Sequence, residues 1–371
     1  MANIVDYIKW RGDIPFSASA LNEVDAALFC LISYWDMDGV VSDKLDETIT
    51  LKELCNSDIL VKLPYYCSEE DRTIKELLKY SERFSEVKIS KYINNVDTER
   101  QIQFSAVTFS FDKKSTFVAY RGTDDSLVGW KECMDLAYSE EVEGQKEAVN
   151  YLADVVKKTK GSIYIGGHSK GGNLAVFAGA FSSGKVNNRI QAVYNFDGPG
   201  FNSEVIQKEN FKTIEYRIHT FVPQDSLVGM LLAHKEPYQV VLSKGSNGFS
   251  QHYLAAWEVE GKKFMYRDKL TFGGESASDA IKDWIDGMSF EEKRQFIEVL
   301  YGLVDEYKTV GKLFTVKSMY KVMMEYRNID SDKKRVVYDA IGVLKKSMFN
   351  EVKETIGEVK KKTIDKITIF N

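Results

Sequence analysis

Residues 167–171 read Gly-His-Ser-Lys-Gly and place Ser169 between two glycines. This spacing is typical of a nucleophile elbow, a sharp strand-to-helix turn that projects a serine hydroxyl from a sheet while the glycines let the backbone pass close by. Residues 162–165 favour a short buried strand before the motif, and residues 172–180 favour a small-residue helix after it. We therefore predict Ser169 as the nucleophile of a serine hydrolase. An ordinary glycine-rich turn between a strand and a helix is the alternative interpretation.

A serine nucleophile of this type needs an acid that follows it along the chain and precedes a histidine. Asp225 lies in a loop after the second strand beyond Ser169, the position at which this architecture normally carries the acid. Asp197 ends the first of those strands and is the weaker candidate, expected to support the site or the turn. We predict Asp225 as the acid, and a helix N-cap aspartate is the alternative.

The base is nearly forced, because the chain has four histidines. His168 is the variable residue of the elbow and points the wrong way to accept the proton of its neighbour, while His219 lies in the middle of a strand and is expected to be a core histidine. His252 lies in a loop just before the last strand, where the histidine of a triad belongs. We predict His252 as the base, with His234 as the second candidate and a plain surface histidine as the alternative interpretation.

An oxyanion hole requires two backbone N–H donors aimed at the developing negative charge. One donor should belong to Lys170, the residue after the nucleophile, and the other to a loop after an early strand. Residues 120–123 close the second strand of a predicted hairpin in a suitable place, and Arg121 would hold that loop by charge-assisted hydrogen bonds. The alternative is a surface turn with a solvated arginine.

The elements that must position these residues alternate along the chain. Residues 102–109 and 116–120 predict a β-hairpin, which is followed by strands at 162–165, 190–196, 216–222 and 238–242, by helices at 147–158, 172–181 and 201–210, and by strand patterns within 255–266. Such alternation predicts a mainly parallel sheet covered by helices on both faces, and hence the α/β class with an α/β-hydrolase fold.

Three regions follow from these patterns. Residues 1–100 are expected to be a mainly helical part packed on the core, residues 101–270 the hydrolase core, and residues 271–371 a helical extension. In the extension, apolar residues recur at helical spacing at Ile341, Leu344, Met348, Val352, Ile356 and Val359. A helix packed on the core is the first interpretation of this stripe. The second is a peripheral contact with an anionic membrane, because lysines flank the stripe.

Composition excludes several classes of protein. A hydrophobic content of 44% supports a sizeable core, and a net charge of −5 disfavours a nucleic-acid binder. The spacings of Cys30, Cys55, Cys67 and Cys133 fit neither a zinc site nor a disulfide framework. The start of the chain does not resemble a signal peptide, and no apolar run is long enough to span a membrane. We therefore expect a cytoplasmic protein with no metal site and no cofactor.

The motifs taken together resemble a known family. Residues 118–123, the elbow, residues 222–225 and a late histidine are similar to the class 3 lipase pattern. The resemblance is closer still to the bacterial Mbeg1-like proteins, which carry a similar Trp-Arg-Gly-Asp start, here residues 10–13, and a similar Asn-Glu-Val-Asp segment, here residues 22–25. It covers roughly residues 5–265.

The resemblance implies a lipase-like α/β-hydrolase with Ser169, Asp225 and His252 as its triad. Thr123 and Lys170 would supply the oxyanion hole, supported by Arg121, Gly122, Gly167, His168 and Gly171. The segment from Asp124 to Tyr138 corresponds to the mobile lid of class 3 lipases, with Leu127, Val128 and Trp130 as its apolar members. The last 100 or so residues have no counterpart in the pattern.

These residues favour a hydrolase acting on a carboxylic ester, with a lipid or acyl ester implied by the resemblance. Thioesterases, acyltransferases and peptidases use the same residues. A protein of another class, a non-catalytic binding or scaffold protein on a hydrolase fold, would have no need of a complete triad. The sequence leaves the acyl length, the head group and the oligomeric state open.

Overall fold

A nine-stranded mixed sheet is the centre of the computed structural model, which describes residues 2–58, 69–124, 126–246, 248–304, 307 and 316–340. The sheet order is β1-β2-β3-β4-β5-β6-β7-β8-β11, and β9 and β10 form a separate hairpin. The strands are β1 Ile49–Thr50, β2 Lys88–Asp97, β3 Ile102–Ser110, β4 Ser115–Tyr120, β5 Ser162–His168, β6 Ile190–Phe196, β7 Ile218–Pro223, β8 Tyr238–Val241, β9 Val259–Glu260, β10 Lys263–Phe264 and β11 Tyr266–Arg267.

Strand direction divides the sheet into a parallel centre and antiparallel edges. Strands β4 to β8 pair in parallel, so their carboxyl ends meet at one edge of the sheet. Strands β1 to β4 pair antiparallel on one side, and β11 pairs antiparallel with β8 on the other. The predicted hairpin is confirmed as β3 and β4. The carboxyl ends of the parallel strands are where the loops that bind ligands are expected.

Helices cover both faces of the sheet. Their ranges are α1 Ile4–Arg11, α2 Glu23–Ile32, α3 Leu51–Asn56, α4 Glu69–Leu78, α5 Leu127–Asp135, α6 Glu143–Lys158, α7 Lys170–Phe181, α8 Gly184–Asn187, α9 Ser203–Ile206, α10 Glu209–Lys212, α11 Gly248–Gln251, α12 Phe272–Asp286, α13 Phe290–Gly302 and α14 Val316–Asn328. Residues 331–340 are also helical. Helix α7 is rich in alanine and glycine and is buried over 170–180, because small side chains let it pack closely on β4, β5 and β6.

Each face has its own hydrophobic core. The N-terminal helices pack on one face, where Phe29 of α2 stacks on Phe109 and contacts Phe117 of the sheet. The other face is covered by α6 and α7, whose apolar residues include Leu152 and Leu174. This arrangement confirms the predicted α/β-hydrolase fold, in which helices flank a mostly parallel sheet.

The N-terminal region differs from the expectation of a mainly helical part. Strand β2 lies within it, and β2 pairs with β3 across the boundary drawn at residue 100. Its sequence, KISKYINNVD, is rich in lysine and asparagine, so its pattern is not that of a buried strand. A fully buried ion pair, 2.6 Å between Arg83 Nη2 and Asp25 Oδ2, ties the turn after α4 to α2.

The C-terminal region is helical where it is described. None of the helices in the described ranges is long and apolar enough to cross a bilayer. The apolar stripe predicted from Ile341 to Val359 lies outside the described residues, and so does Cys67. Cys30, Cys55 and Cys133 are free thiols.

Candidate active site

Ser169 occupies the sharp turn between β5 and α7. Its backbone has φ +58° and ψ −136°, a conformation that non-glycine residues rarely adopt and that marks strain at functional turns. A side chain at Gly167 would clash with the backbone of Gly171, and a side chain at Gly171 would clash with the carbonyl of Tyr120. The two glycines therefore let the elbow fold back against the end of β4, as the motif predicts.

The candidate acid beside His252 is Asp197. His252 Nδ1 lies 2.6 Å from Asp197 Oδ2, and the aspartate is fully buried. Asp197 directly follows β6, and the N–H of Ser169 donates to the carbonyl of Phe196 at 3.0 Å, so Ser169 and Asp197 are neighbours at the ends of two adjacent strands. The prediction of Asp225 as the partner of the histidine is not what the structure shows.

The second oxygen of Asp197 is also satisfied. Oδ1 accepts from the hydroxyl of Ser226 at 2.5 Å and from the N–H of Gly229 at 3.0 Å. Asp197 has φ +50°, in the left-handed region that aspartate tolerates better than most residues. Both oxygens of Asp197 thus accept hydrogen bonds, which fixes the orientation of the carboxylate that faces His252 Nδ1.

Asp225 has a different set of partners. Its Oδ2 accepts from the amide of Gln251 at 2.6 Å, its N–H donates to Gln251 Oε1 at 2.9 Å, and its Oδ1 accepts from the hydroxyl of Thr271. Thr271 is the N-cap of α12, where its hydroxyl accepts from the N–H of Gly274. Asp225 thus joins the residue before His252 to the start of the C-terminal helices.

The structure distinguishes the candidate histidines by their contacts and their exposure. His252 has Nδ1 on Asp197, and its Nε2 has no hydrogen-bond partner among the described residues, which leaves this nitrogen available as a base. His234 is held by the carbonyl of Gly229 and by Glu236. His219 is exposed, not a core residue, and stacks on Tyr194. This geometry favours His252 over His234.

Ser169 and His252 are not hydrogen-bonded to each other within the described chain. The ring of His168, next to the serine, lies 4.4 Å from the ring of His252, centroid to centroid. Catalytic hydrogen bonds are often long before a substrate binds.

Two backbone N–H groups are available for an oxyanion. The N–H groups of Lys170 and Thr123 donate to no acceptor in the described part of the chain. The loop that carries Thr123 touches the elbow, since a Cβ added at Gly122 would lie 2.9 Å from Ser169 Cβ. Arg121 fastens this loop through Asp124 at 3.2 Å and Asn94 at 3.0 Å, as its predicted role requires. The predicted pair of donors is thus placed on either side of the serine.

The side chain of Lys170 was not anticipated as part of the site. It is fully buried, and its Nζ donates to Glu132 Oε2 at 2.6 Å and to the carbonyl of Gln103 at 2.7 Å. Glu132 lies on α5 and also accepts from the N–H of Gly144 at the start of α6. Removing one partner of a buried ion pair lowers the free energy of unfolding by about 3–5 kcal/mol.

Glu132 lies within the segment that, by the family resemblance, corresponds to a mobile lid. Helix α5 fills most of that segment, and its Leu127 and Val128 are buried while Trp130 is about half exposed. Because Glu132 of the same helix is paired with Lys170, the residue after Ser169, α5 is fastened to the elbow at its buried face. A hinged movement of the whole helix would have to break that pair.

Two residues near the site carry no motif that sequence inspection would detect. Tyr34 follows α2 and contacts His168, and Glu132 lies in the middle of α5. The one available signal was Lys170 itself, because a lysine at the start of a buried, small-residue helix requires a carboxylate nearby. The position of that carboxylate along the chain could not be read from the pattern.

Comparisons with known proteins gave a family match and a similar solved structure. A family model described as Mbeg1-like matches residues 78–302, more than half of the chain. Among solved structures, the crystal structure of M37 lipase is similar at 15% sequence identity and a TM-score of 0.33, with 56% of this chain and 69% of the lipase chain covered. No curated protein gives a significant match to the sequence.

Proposed function

The chain belongs to the Mbeg1-like family, and from this premise we propose that it is a serine hydrolase that cleaves a carboxylic ester through an acyl-enzyme on Ser169. One observation carries the proposal: a buried His252–Asp197 pair, 2.6 Å between Nδ1 and Oδ2, lies next to a serine in the strained backbone of an elbow. A histidine oriented by a carboxylate beside a serine is the arrangement that activates an alcohol as a nucleophile.

The first half of the reaction forms the acyl-enzyme. Ser169 Oγ attacks the carbonyl carbon of the ester while its proton passes to His252 Nε2. The negative charge moves to the carbonyl oxygen, where the N–H groups of Lys170 and Thr123 would receive it. Asp197 stabilises the imidazolium formed at this stage. When the intermediate collapses, the bond to the alcohol oxygen breaks and the alcohol leaves with the proton from Nε2.

The second half releases the acid. A water molecule takes the position of the departed alcohol and gives a proton to His252 Nε2 as its oxygen attacks the acyl carbon. Collapse of this second intermediate breaks the bond to Ser169 Oγ, and the proton returns to the serine. A thiol ester would follow the same steps, and an alcohol in place of water would give acyl transfer.

The test is covalent labelling with a fluorophosphonate, together with hydrolysis of p-nitrophenyl butyrate. The wild-type protein should be labelled on the peptide that carries Ser169 and should hydrolyse the ester. Ser169→Ala should abolish labelling and lower hydrolysis by several orders of magnitude, with an unchanged melting temperature. Ser182→Ala is a matched control, because Ser182 follows the other end of α7 and its buried hydroxyl has no partner in the described structure.

Two results would overturn the proposal. Labelling of Ser169→Ala at the wild-type rate would exclude Ser169 as the nucleophile. A folded wild-type protein that neither reacts with the fluorophosphonate nor hydrolyses the ester would favour the non-catalytic alternative, a binding or scaffold protein on a hydrolase fold.

A further inference from the structure

A second imidazole is buried against the candidate base. His168 is 2% exposed, its Nε2 lies 2.7 Å from the main-chain carbonyl oxygen of His252, and its Nδ1 lies 2.9 Å from the hydroxyl of Tyr34. The two histidine rings are 4.4 Å apart and inclined by 38°. His168 therefore bridges the loop of the base and the N-terminal helical region.

The partners of His168 determine where its proton lies. A carbonyl oxygen can only accept, so Nε2 carries the hydrogen and donates to His252. Nδ1 is then an acceptor, and the Tyr34 hydroxyl donates to it. Burial lowers the pKa of His168 well below its ordinary value of 6.5, so the ring is neutral at physiological pH. The donations run in one direction, from Tyr34 through His168 to the main chain of His252.

We propose that His168 and Tyr34 are positioning residues that set the separation between the nucleophile and its base; this inference rests on the proposed hydrolase function. His168 and Ser169 are consecutive, and the N–H of Ser169 is itself bonded to β6. A hydrogen bond from His168 to the carbonyl of His252 therefore joins the loop of the base to the backbone of the nucleophile. Asp197 orients the ring of His252, and His168 places its main chain.

The loop of the base needs such a tie. His252 lies between the short helix α11 and a single 3₁₀ turn at Leu254–Ala256, so it has no long element to fix it. Catalytic groups displaced by about 1 Å can lose on the order of 100-fold in rate. The His168–His252 hydrogen bond is a direct contact between that loop and the residue next to the serine.

Tyr34 lies outside the part of the chain that matches the family model. It lies at residue 34, whereas the family model begins at residue 78. Its hydroxyl is also 3.3 Å from the carbonyl oxygen of His168, and a side chain at Gly122 would clash with it. Tyr34 therefore touches the elbow and the Thr123 loop together. The N-terminal region accordingly contributes a residue to the site and does more than cover the sheet.

The experiment compares two side chains of similar length at position 168. His168→Gln keeps an N–H that can reach the carbonyl of His252, whereas His168→Met fills a similar volume with no donor. Kinetics of p-nitrophenyl butyrate hydrolysis, the rate constant for fluorophosphonate labelling and the melting temperature are measured for both. Tyr34→Phe is added, with Tyr151→Phe as its control. Tyr151→Phe also removes a buried hydroxyl, which is hydrogen-bonded to Thr108 on the face of the sheet that α6 covers, away from the base.

We expect His168→Met to lower kcat and the labelling rate constant by about 10- to 100-fold, with KM changed by less than about twofold. His168→Gln should recover most of the lost kcat although the two variants melt at similar temperatures. Tyr34→Phe should lower kcat by several-fold, and Tyr151→Phe should leave it unchanged.

Equal kcat values for His168→Gln and His168→Met, or a loss of kcat that follows the melting temperature across all four variants, would overturn the positioning role. Both outcomes are distinct from failure of the proposed function, which would appear as a wild-type protein without labelling or hydrolysis and would overturn this inference with it.

Discussion

Two adjacent strands of the sheet, β6 and β7, each end near an aspartate, and the two aspartates act on the same loop by different routes. Asp197 binds the ring of His252, while Asp225 binds the side chain of Gln251, one residue earlier. Asp197 is fully buried, whereas Asp225 is only partly buried. A carboxylate that contacts the imidazole stabilises the charge formed during the reaction. A carboxylate that contacts the neighbouring amide can only hold the loop in place.

The difference teaches that position after a strand is a weak criterion for the acid. Both aspartates satisfy it, and both are well supplied with hydrogen bonds. The criterion that separates them is which one faces a titratable group whose charge changes in the reaction. Three substitutions at these aspartates and their partners test that separation, and a fourth tests His168, another neighbour of the same loop.

Asp197→Asn should have the largest effect of the four. The asparagine amide cannot stabilise an imidazolium, and it favours the wrong tautomer of His252, so kcat should fall by about 10³-fold or more. Hydrolysis of p-nitrophenyl butyrate and the fluorophosphonate labelling rate measure the loss. A wild-type kcat in this variant would show that the His252–Asp197 pair is structural.

Ser226→Ala should have an intermediate effect. Its hydroxyl donates to Asp197 Oδ1 at 2.5 Å, and its removal leaves that oxygen with the N–H of Gly229 as its remaining donor. Loss of one hydrogen bond to a charged group is worth about 1.5–3 kcal/mol, so we expect kcat to fall by about tenfold or somewhat more. KM should be little changed. A rise in KM with kcat unchanged would instead indicate a role in substrate binding.

Asp225→Asn should have a smaller effect on kcat than either change at the Asp197 site. One of its two side-chain partners, Gln251 or Thr271, would lose an acceptor, which should lower the free energy of unfolding by about 1 kcal/mol. Activity should fall by less than about tenfold. If kcat fell more in Asp225→Asn than in Asp197→Asn, the two assignments would have to be exchanged.

His168→Gln should have the smallest effect, a change in how the free energy of unfolding depends on pH. His168 is hydrogen-bonded to the same loop as the two aspartates. Burial lowers its pKa in the folded state below 6.5, so the unfolded chain binds more protons as the pH falls below that value. The neutral ring thus contributes its full stability above pH 6.5 and loses it progressively below. Urea unfolding at pH 7.5 and 5.5 should show a smaller loss of stability in His168→Gln than in the wild type. An identical loss would exclude His168 as the group responsible.

Much of the site could be predicted from local sequence. The elbow depends on residues that are consecutive in the chain: a strand at 162–168, a turn that two glycines allow, and a helix at 170–181. The hairpin at β3 and β4 is equally local, and the choice of His252 as the candidate base followed from the small number of histidines. Strand β2 was missed because it lies at the antiparallel side of the sheet, where pairing with β3 holds a polar sequence in place.

The choice between the two aspartates required the folded chain. Asp197 and His252 are 55 residues apart, and nothing in the sequence around either residue records their contact. The loop of the base is held locally by the indole N–H of buried Trp257, which donates to the carbonyl of Gln251 at 2.7 Å, and from a distance of 84 residues by His168, which is hydrogen-bonded to the next carbonyl. The ion pair between Lys170 and Glu132 is likewise formed between separate elements, 38 residues apart. Short-range patterns predict a turn or a helix because neighbouring residues cause it. Contacts between side chains on different loops depend on how all the intervening elements pack, and the sequence motifs do not contain that information.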